Sequence, residues 1–233
     1  MVDFRFDQAD NRELTQLEWL VTNGIGGYAS GTVSGVLTRR YHGWLVAALK
    51  PPVGRVNLVA KFDEWVQSEG RAYLLFGNHW ASEQEEIDPR QGITSLRRFY
   101  LDGGIPTWMY AADGWQLKKS IWMEMRENTT HIWYQNQSEF AEIKLTLKGM
   151  LGRTDFHLLN RMTGAYQVEG IESGVQVTPD VIGAQPYRIV SPGAEFIPHA
   201  IWLRKFFLAQ EAYRGQNALA DYFNGVDVIK LLT

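Results

Sequence analysis

Residues 38–43 read Thr38-Arg39-Arg40-Tyr41-His42-Gly43. Two guanidinium forks, a phenol and an imidazole fall in four consecutive positions. Such a set can donate hydrogen bonds to carboxylates, phosphates or sugar hydroxyls. It can equally form an ion-pair cluster that only fixes a turn. A second polar group, Arg153-Thr154-Asp155-Phe156-His157, poses the same choice. Arg153, Asp155 and His157 form either a ligand-binding network or one that only sets loop geometry. A third candidate is glycine-rich, Asn23-Gly24-Ile25-Gly26-Gly27-Tyr28-Ala29. It matches the G-x-G-x-x-A pattern of dinucleotide loops, which works by placing a helix N-terminus against a pyrophosphate. Here Ser30, Gly31, Thr32, Val33, Ser34 and Gly35 follow, a poor helix start. The acidic ribose ligand expected about 20 residues on is also missing. Asn23, Gly24, Gly26 and Gly27 therefore read as a tight loop that lets backbone approach another surface. No cofactor is expected.

Other chemistries are excluded by type. The chain has no Cys, which removes disulfides, zinc–thiolate sites and thiol nucleophiles. The five His are scattered without metal-ligand spacing, so no metal site is expected. No nucleophile elbow is present. Glycoside hydrolysis requires two carboxyls about 5–10 Å apart across a sugar. Asp63-Glu64 and the run Glu83, Glu85, Glu86 and Asp88 are the obvious candidates, and neither is nominated; the run reads as a solvated loop. No catalytic residue is assigned.

The elements that must carry these groups read mainly as strands. Leu17, Trp19 and Val21 alternate with Glu18, Leu20 and Thr22 ahead of the glycine loop. Trp44–Ala48 is a short apolar run stopped by Pro51-Pro52. Val56–Phe62 and Tyr73–Phe76 are further strand-like pieces. Ile121, Met123 and Met125 alternate with Trp122, Glu124 and Arg126; Glu127–Thr130 then marks a turn, and Ile132–Gln135 returns as the partner. Ile143, Leu145 and Leu147 alternate with Lys144, Thr146 and Lys148, a half-buried strand with a charged face. Val175 and Val177 continue the pattern. Beyond Pro198 the spacing changes. Trp202, Phe206, Ala209 and Tyr213 recur at helical intervals, with Leu219, Tyr222 and Phe223 beyond them, and Gly225 closes the segment. The expected organisation is an all-β antiparallel sandwich over residues 1–198 and a helical linker or tail over 199–233.

The 233 residues carry 23 basic and 26 acidic side chains, a net charge of −3. That balance argues against a dedicated nucleic-acid partner. No apolar run approaches the ~18–20 residues of a membrane span. The N-terminus lacks a basic segment followed by an apolar one, so no secretory signal is read there. A cytoplasmic location is expected, and the N-x-Ser/Thr matches at Asn128 and Asn136 read as chance. Aromatics make up 13% of the chain, 9 Trp, 10 Tyr and 11 Phe. They suit either a sheet-rich core or a surface on which rings meet the apolar faces of pyranoses.

Several segments, in order, resemble the N-terminal region of bacterial and archaeal glycogen debranching enzymes of the amylo-α-1,6-glucosidase type. They are Glu18-Trp19-Leu20, Asn23–Thr32, Thr38–Gly43, Pro106-Thr107-Trp108, Ile121-Trp122-Met123, Glu127–Thr130 and Asp155-Phe156-His157. The resemblance runs from about residue 12 to about residue 223. It implies a β-supersandwich of the kind that precedes glucoamylase-like barrels, and an α-glucan context. In that family a helical linker leads to an (α/α) six-hairpin barrel carrying the catalytic carboxyls. The 202–223 segment, with Glu211 and Arg214-Gly215, is similar to that linker, and too few residues follow it to hold the barrel. The resemblance thus implies a non-catalytic domain that packs on a barrel and shapes its glucan cleft. The Asn23–Gly27 loop and the Arg39–His42 turn are expected to face barrel or substrate. The expected partners are α-glucan (glycogen or maltooligosaccharide) and the barrel of a longer chain. A stand-alone glucan-binding module is the second reading. A surface meant for the barrel can also drive homo-oligomer formation.

Overall fold

A computed structural model of the chain describes residues 2–6, 14–81, 94–180 and 185–233. The acidic 83–88 run lies outside the described residues. Sixteen strands are described. The first eight are β1 (Asp3–Arg5), β2 (Glu18–Thr22), β3 (Tyr28–Thr32), β4 (Gly43–Lys50), β5 (Val53–Ser68), β6 (Arg71–Leu74), β7 (Leu96–Asp102) and β8 (Ile105–Ala112). The rest are β9 (Trp115–Met123), β10 (Thr130–Asn136), β11 (Ile143–Asp155), β12 (Tyr166–Ile171), β13 (Gly174–Pro179), β14 (Tyr187–Val190), β15 (Glu195–Phe207) and β16 (Leu219–Leu232). One short helix, α1 (Ala209–Tyr213), joins the last two.

These strands pair antiparallel throughout, in three sheets. The largest sheet runs β15-β16-β11-β5-β4-β3-β2, with β6 pairing the far end of β5. A five-stranded sheet runs β1-β7-β8-β9-β10, and a three-stranded one β12-β13-β14. The main apolar core lies between the large sheets. Trp19 of β2 meets Trp108 of β8 edge-on, with centroids 5.5 Å apart. Their indole N–H groups donate to the carbonyls of Thr32 and Val33 at 3.2 and 3.0 Å, so both polar tips are satisfied inside the core. A smaller apolar cluster, with Ala60, Met150, Phe206, Leu208, Ala220 and Tyr222, lies on the opposite face of the eight-stranded sheet. Ala60, Met150 and Tyr222 each neighbour a residue of the main core in sequence: Val59, Leu151 and Phe223. Strands β5, β11 and β16 are therefore buried on both faces.

The all-β antiparallel expectation holds, whereas the helical reading of 199–233 does not. That segment supplies the end of β15 and all of β16, and its helix is confined to Ala209–Tyr213. The cause lies in β-bulges. The β15–β16 register shifts between Pro198 and Ile201 and again between Leu203 and Phe206, where Lys205 adopts φ +64°. Each extra residue breaks the period-2 alternation and stretches the spacing of buried side chains toward that of a helix. In β16 both faces are covered, so its run does not alternate. Gly225, expected to close a helix, sits inside β16. A Cβ there would lie 2.7 Å from Leu151 Cδ1, so glycine leaves room for that side chain as it packs.

The Asp63-Glu64 pair is taken up by the core. Successive residues of β5 point to opposite faces. Asp63 forms an ion pair with the Lys61 ammonium at 2.7 Å and accepts from Asn78 Nδ2 at 2.7 Å, while Glu64 accepts from Lys119 at 2.8 Å and from the Tyr134 hydroxyl. No helix among the described residues is long and apolar enough to cross a membrane.

Candidate functional site

Strand β2 is an edge of the eight-stranded sheet. Its inward residues join the main core, and Glu18, Leu20 and Thr22 point outward. Opposite them stand Thr32, Ser30 and Tyr28 of β3. This outward face forms the floor of a cleft of about 650 Å³. Gly24, Gly26 and Gly27 line one part of it, Arg39, Tyr41 and His42 another, and Arg55 of β5 a third. Arg55 also lines a smaller neighbouring cleft with Asp155, Phe156 and His157. The three sequence clusters thus meet on one side of the molecule.

The 23–27 loop is held from within. Asn23 is buried; its Oδ1 accepts from Ile25 N at 3.1 Å, and its Nδ2 donates to Glu127 O at 2.8 Å. It ties the loop to the β9–β10 turn and does not line the cleft. Gly26 has φ +102°, and a Cβ there would lie 2.5 Å from Pro52 O. Arg55 Nε donates to Gly26 O at 2.7 Å, and its guanidinium lies over the Phe156 ring at 5.1 Å. Gly26→Ala is expected to destabilise the fold by roughly 1–3 kcal/mol from backbone strain, with the backbone clash in addition. Thermal unfolding of the variant tests this; an unchanged melting temperature would mean that the loop readily shifts.

The Arg39–His42 turn sends its side chains in two directions. Arg39 Nε donates to Glu18 Oε1 at 2.6 Å. His42 is buried, its Nδ1 accepts from Thr38 N at 3.2 Å, and its Nε2 stands 3.3 Å from the same Glu18 oxygen. The Thr38 bond assigns the imidazole proton to Nε2, on the cleft side. Tyr28 Oη and Ser30 Oγ both donate to Tyr41 O. Arg40 turns away from the cleft to Glu211 of α1, whose carboxylate has 0% of its surface exposed. Its Nε and Nη2 lie 2.9 and 2.8 Å from Glu211 Oε2, and its backbone N donates to Oε1 at 3.2 Å. Arg40 Nη1 also donates to His157 O at 3.0 Å, and Tyr41 Oη lies 3.4 Å from His157 Nδ1. Arg40 and Glu211 therefore pin the turn, the helix and the 155–157 loop together.

Asp155 Oδ1 accepts the backbone N–H of His157 at 2.9 Å. Arg153 leaves these two: it donates to Asp180 O and Thr163 Oγ1 and stacks over Tyr166. Residues not nominated from the sequence also matter. Leu20 and Tyr28 form cleft floor, Arg55 joins the two clefts, and Glu211 anchors the turn. Only Glu211 carries a signal in the sequence, as an acid within the aromatic-rich 202–223 segment that resembles a linker.

Glu18 is the one carboxylate among the described residues lining the larger cleft. His42, then Arg39, hold its pKa down at about 2 against the opposing effect of partial burial. A depressed carboxyl pKa adds stability that is fully present above the unfolded value near 4.5 and is lost as pH falls toward 2. Glu18→Gln is therefore expected to flatten the acid limb of stability between those values and leave it unchanged in slope near neutrality. Acid titration of wild type and variant, followed by circular dichroism, checks this.

The sequence model of the glycogen debranching enzyme N-terminal domain matches residues 17–228. The chain belongs to this family. The match spans every strand from β2 to β15 and most of β16, so the cleft of this debranching-enzyme N-terminal domain is built wholly from matched residues. No individual curated protein matches the chain.

Proposed function

We infer that this debranching-enzyme N-terminal domain is non-catalytic. Its cleft faces a catalytic barrel or the α-glucan held there, supporting hydrolysis of α-1,6 bonds in glycogen or limit dextrin. The observation that carries the reading is the meeting of the 23–27 loop, the 39–42 turn and the 155–157 loop around two adjoining clefts that share Arg55. Its chemistry supports binding and not bond cleavage. A general acid must hold a proton at the working pH. Glu18, with a pKa of about 2, does not, and it is already engaged by two donors. Asp63 and Glu64 are buried in ion pairs. What the cleft offers is the guanidinium groups of Arg39 and Arg55, beside the rings of Tyr28 and Tyr41, a set suited to sugar hydroxyls or to another domain's carboxylates. A cytoplasmic location fits a chain without Cys.

The test places the domain in a polypeptide that carries the barrel. Arg39→Ala is expected to lower turnover of limit dextrin by about 10- to 100-fold, the worth of one hydrogen bond to a charged group. The melting temperature should stay near wild type, because the partly exposed Arg39–Glu18 pair contributes about 0–1 kcal/mol. Unchanged turnover would overturn the cleft reading, as would glucose release by the 233-residue chain alone.

A further inference from the structure

The face of the five-stranded sheet turned away from the main core belongs to neither cleft, and strand register fixes what it displays. Trp133 of β10 stands opposite Ser120, Ser120 opposite Thr107, and Thr107 opposite Tyr100. The row crosses four strands, a span of roughly 14 Å at the usual strand spacing. In the next row His131 stands opposite Trp122, and their rings stack at 5.1 Å and 17°. Trp133 is 50% exposed, an unusual state for the largest apolar side chain. Ser120 and Thr107 are covered and bonded to each other at 3.1 Å, so the surface between the rings is closed and not a pit.

We propose that this face binds an α-1,4-glucan chain. Pyranose C–H faces lie on Trp133 and on the Trp122–His131 stack, and sugar hydroxyls meet the side chains of Gln135 and Lys118, which pair in the adjoining row. Three observations select this occupant. Trp133 is exposed, and Tyr100 and the Trp122–His131 stack stand half-buried in the same and the next row, a spacing of rings that suits a chain of flat, weakly polar units. The aliphatic members of the face are few, Met109 and Ile105, so it lacks the apolar centre of a protein interface. Arg98 and Lys118 are paired with Asp3 and Asp102, which leaves no strip of free cations for a phosphate backbone. The site rests on the glucan context of the proposed function and is independent of the cleft.

The experiment is affinity electrophoresis of the 233-residue chain in native gels containing glycogen, with maltoheptaose titrated against tryptophan fluorescence. The wild-type chain is retarded. Trp133→Ala weakens binding about tenfold, a stacking contribution of ordinary size, while Trp133→Phe keeps most of it. Because Trp133 is half exposed, its melting temperature is expected to hold. Tyr213→Ala, which removes an exposed ring on α1 outside both this face and the clefts, binds as wild type. A wild-type chain that is not retarded, or a Trp133→Ala variant that binds normally, overturns the surface site. Binding lost with Arg39→Ala and kept with Trp133→Ala also overturns it, and assigns the glucan to the cleft instead. All three outcomes leave the turnover test of the cleft standing on its own.

Discussion

Glu211→Ala is expected to destabilise the chain by about 3–5 kcal/mol, the cost of leaving one partner of a buried ion pair alone. Glu211 has no exposed surface, and both its oxygens are used by Arg40. Without it the Arg40 guanidinium keeps, among the described residues, its bond to His157 O. At this chain length each kcal/mol corresponds to about 2–4 °C in melting temperature, so the loss reads directly in thermal unfolding. The damage should extend to the site. Arg39, Tyr41 and His42 sit on the same turn, so Glu211→Ala should also lower turnover in a barrel-bearing polypeptide. Glu211→Gln keeps one acceptor and should lie between. A melting temperature within about 2 °C of wild type would show that water replaces the carboxylate, and that the helix does not pin the turn.

Lys119→Met is the second large effect. The Lys119 ammonium is buried between the sheets, 2.8 Å from Glu64 Oε2, over the rings of Trp108 and Trp44 at 4.5 and 5.0 Å. Burial pushes its pKa down, and Glu64 pulls the other way. Met has nearly the same shape, so the variant removes the charge and little of the packing. It strands the Glu64 carboxylate with the Tyr134 hydroxyl, at an expected cost of about 3–5 kcal/mol. Lys119→Met with Glu64→Leu should recover most of that loss, because an apolar pair needs no compensation. Urea unfolding of the four proteins in the cycle gives the coupling. Additive single effects would mean the two charges are solvated independently.

Much of this fold can be read from residue spacing, and the failures have physical causes. Most of β9 and the start of β11 alternate because one face of each is more exposed. The β15–β16 pair does not, since bulges reset the alternation of one strand and burial on both faces erases it in the other. The site was legible as clusters, because polar side chains and glycines are concentrated at 23–27, 39–42 and 155–157. Their division of labour was not. Arg39 and Arg40 are adjacent in sequence, yet one serves the cleft and the other a buried carboxylate 171 positions away. Arg55 carries no local pattern at all; only the pairing of β4 with β5 brings it beside Gly26.

Strand β16 follows the other described strands in sequence but is interior in space, hydrogen-bonded to β15 on one side and β11 on the other. During synthesis the chain emerges N-terminus first, and the earlier strands wait for this one. Until residues 219–232 have left the ribosome, β11 ends the sheet as a bare edge, and β15 has no partner in it. The nascent chain is then at its most adhesive, with long unpaired strands on view. Closure of this sheet joins residues 219–232 to a strand that begins at Ile143. A chain cut short within β16 would thus lose the joint between two parts of its largest sheet.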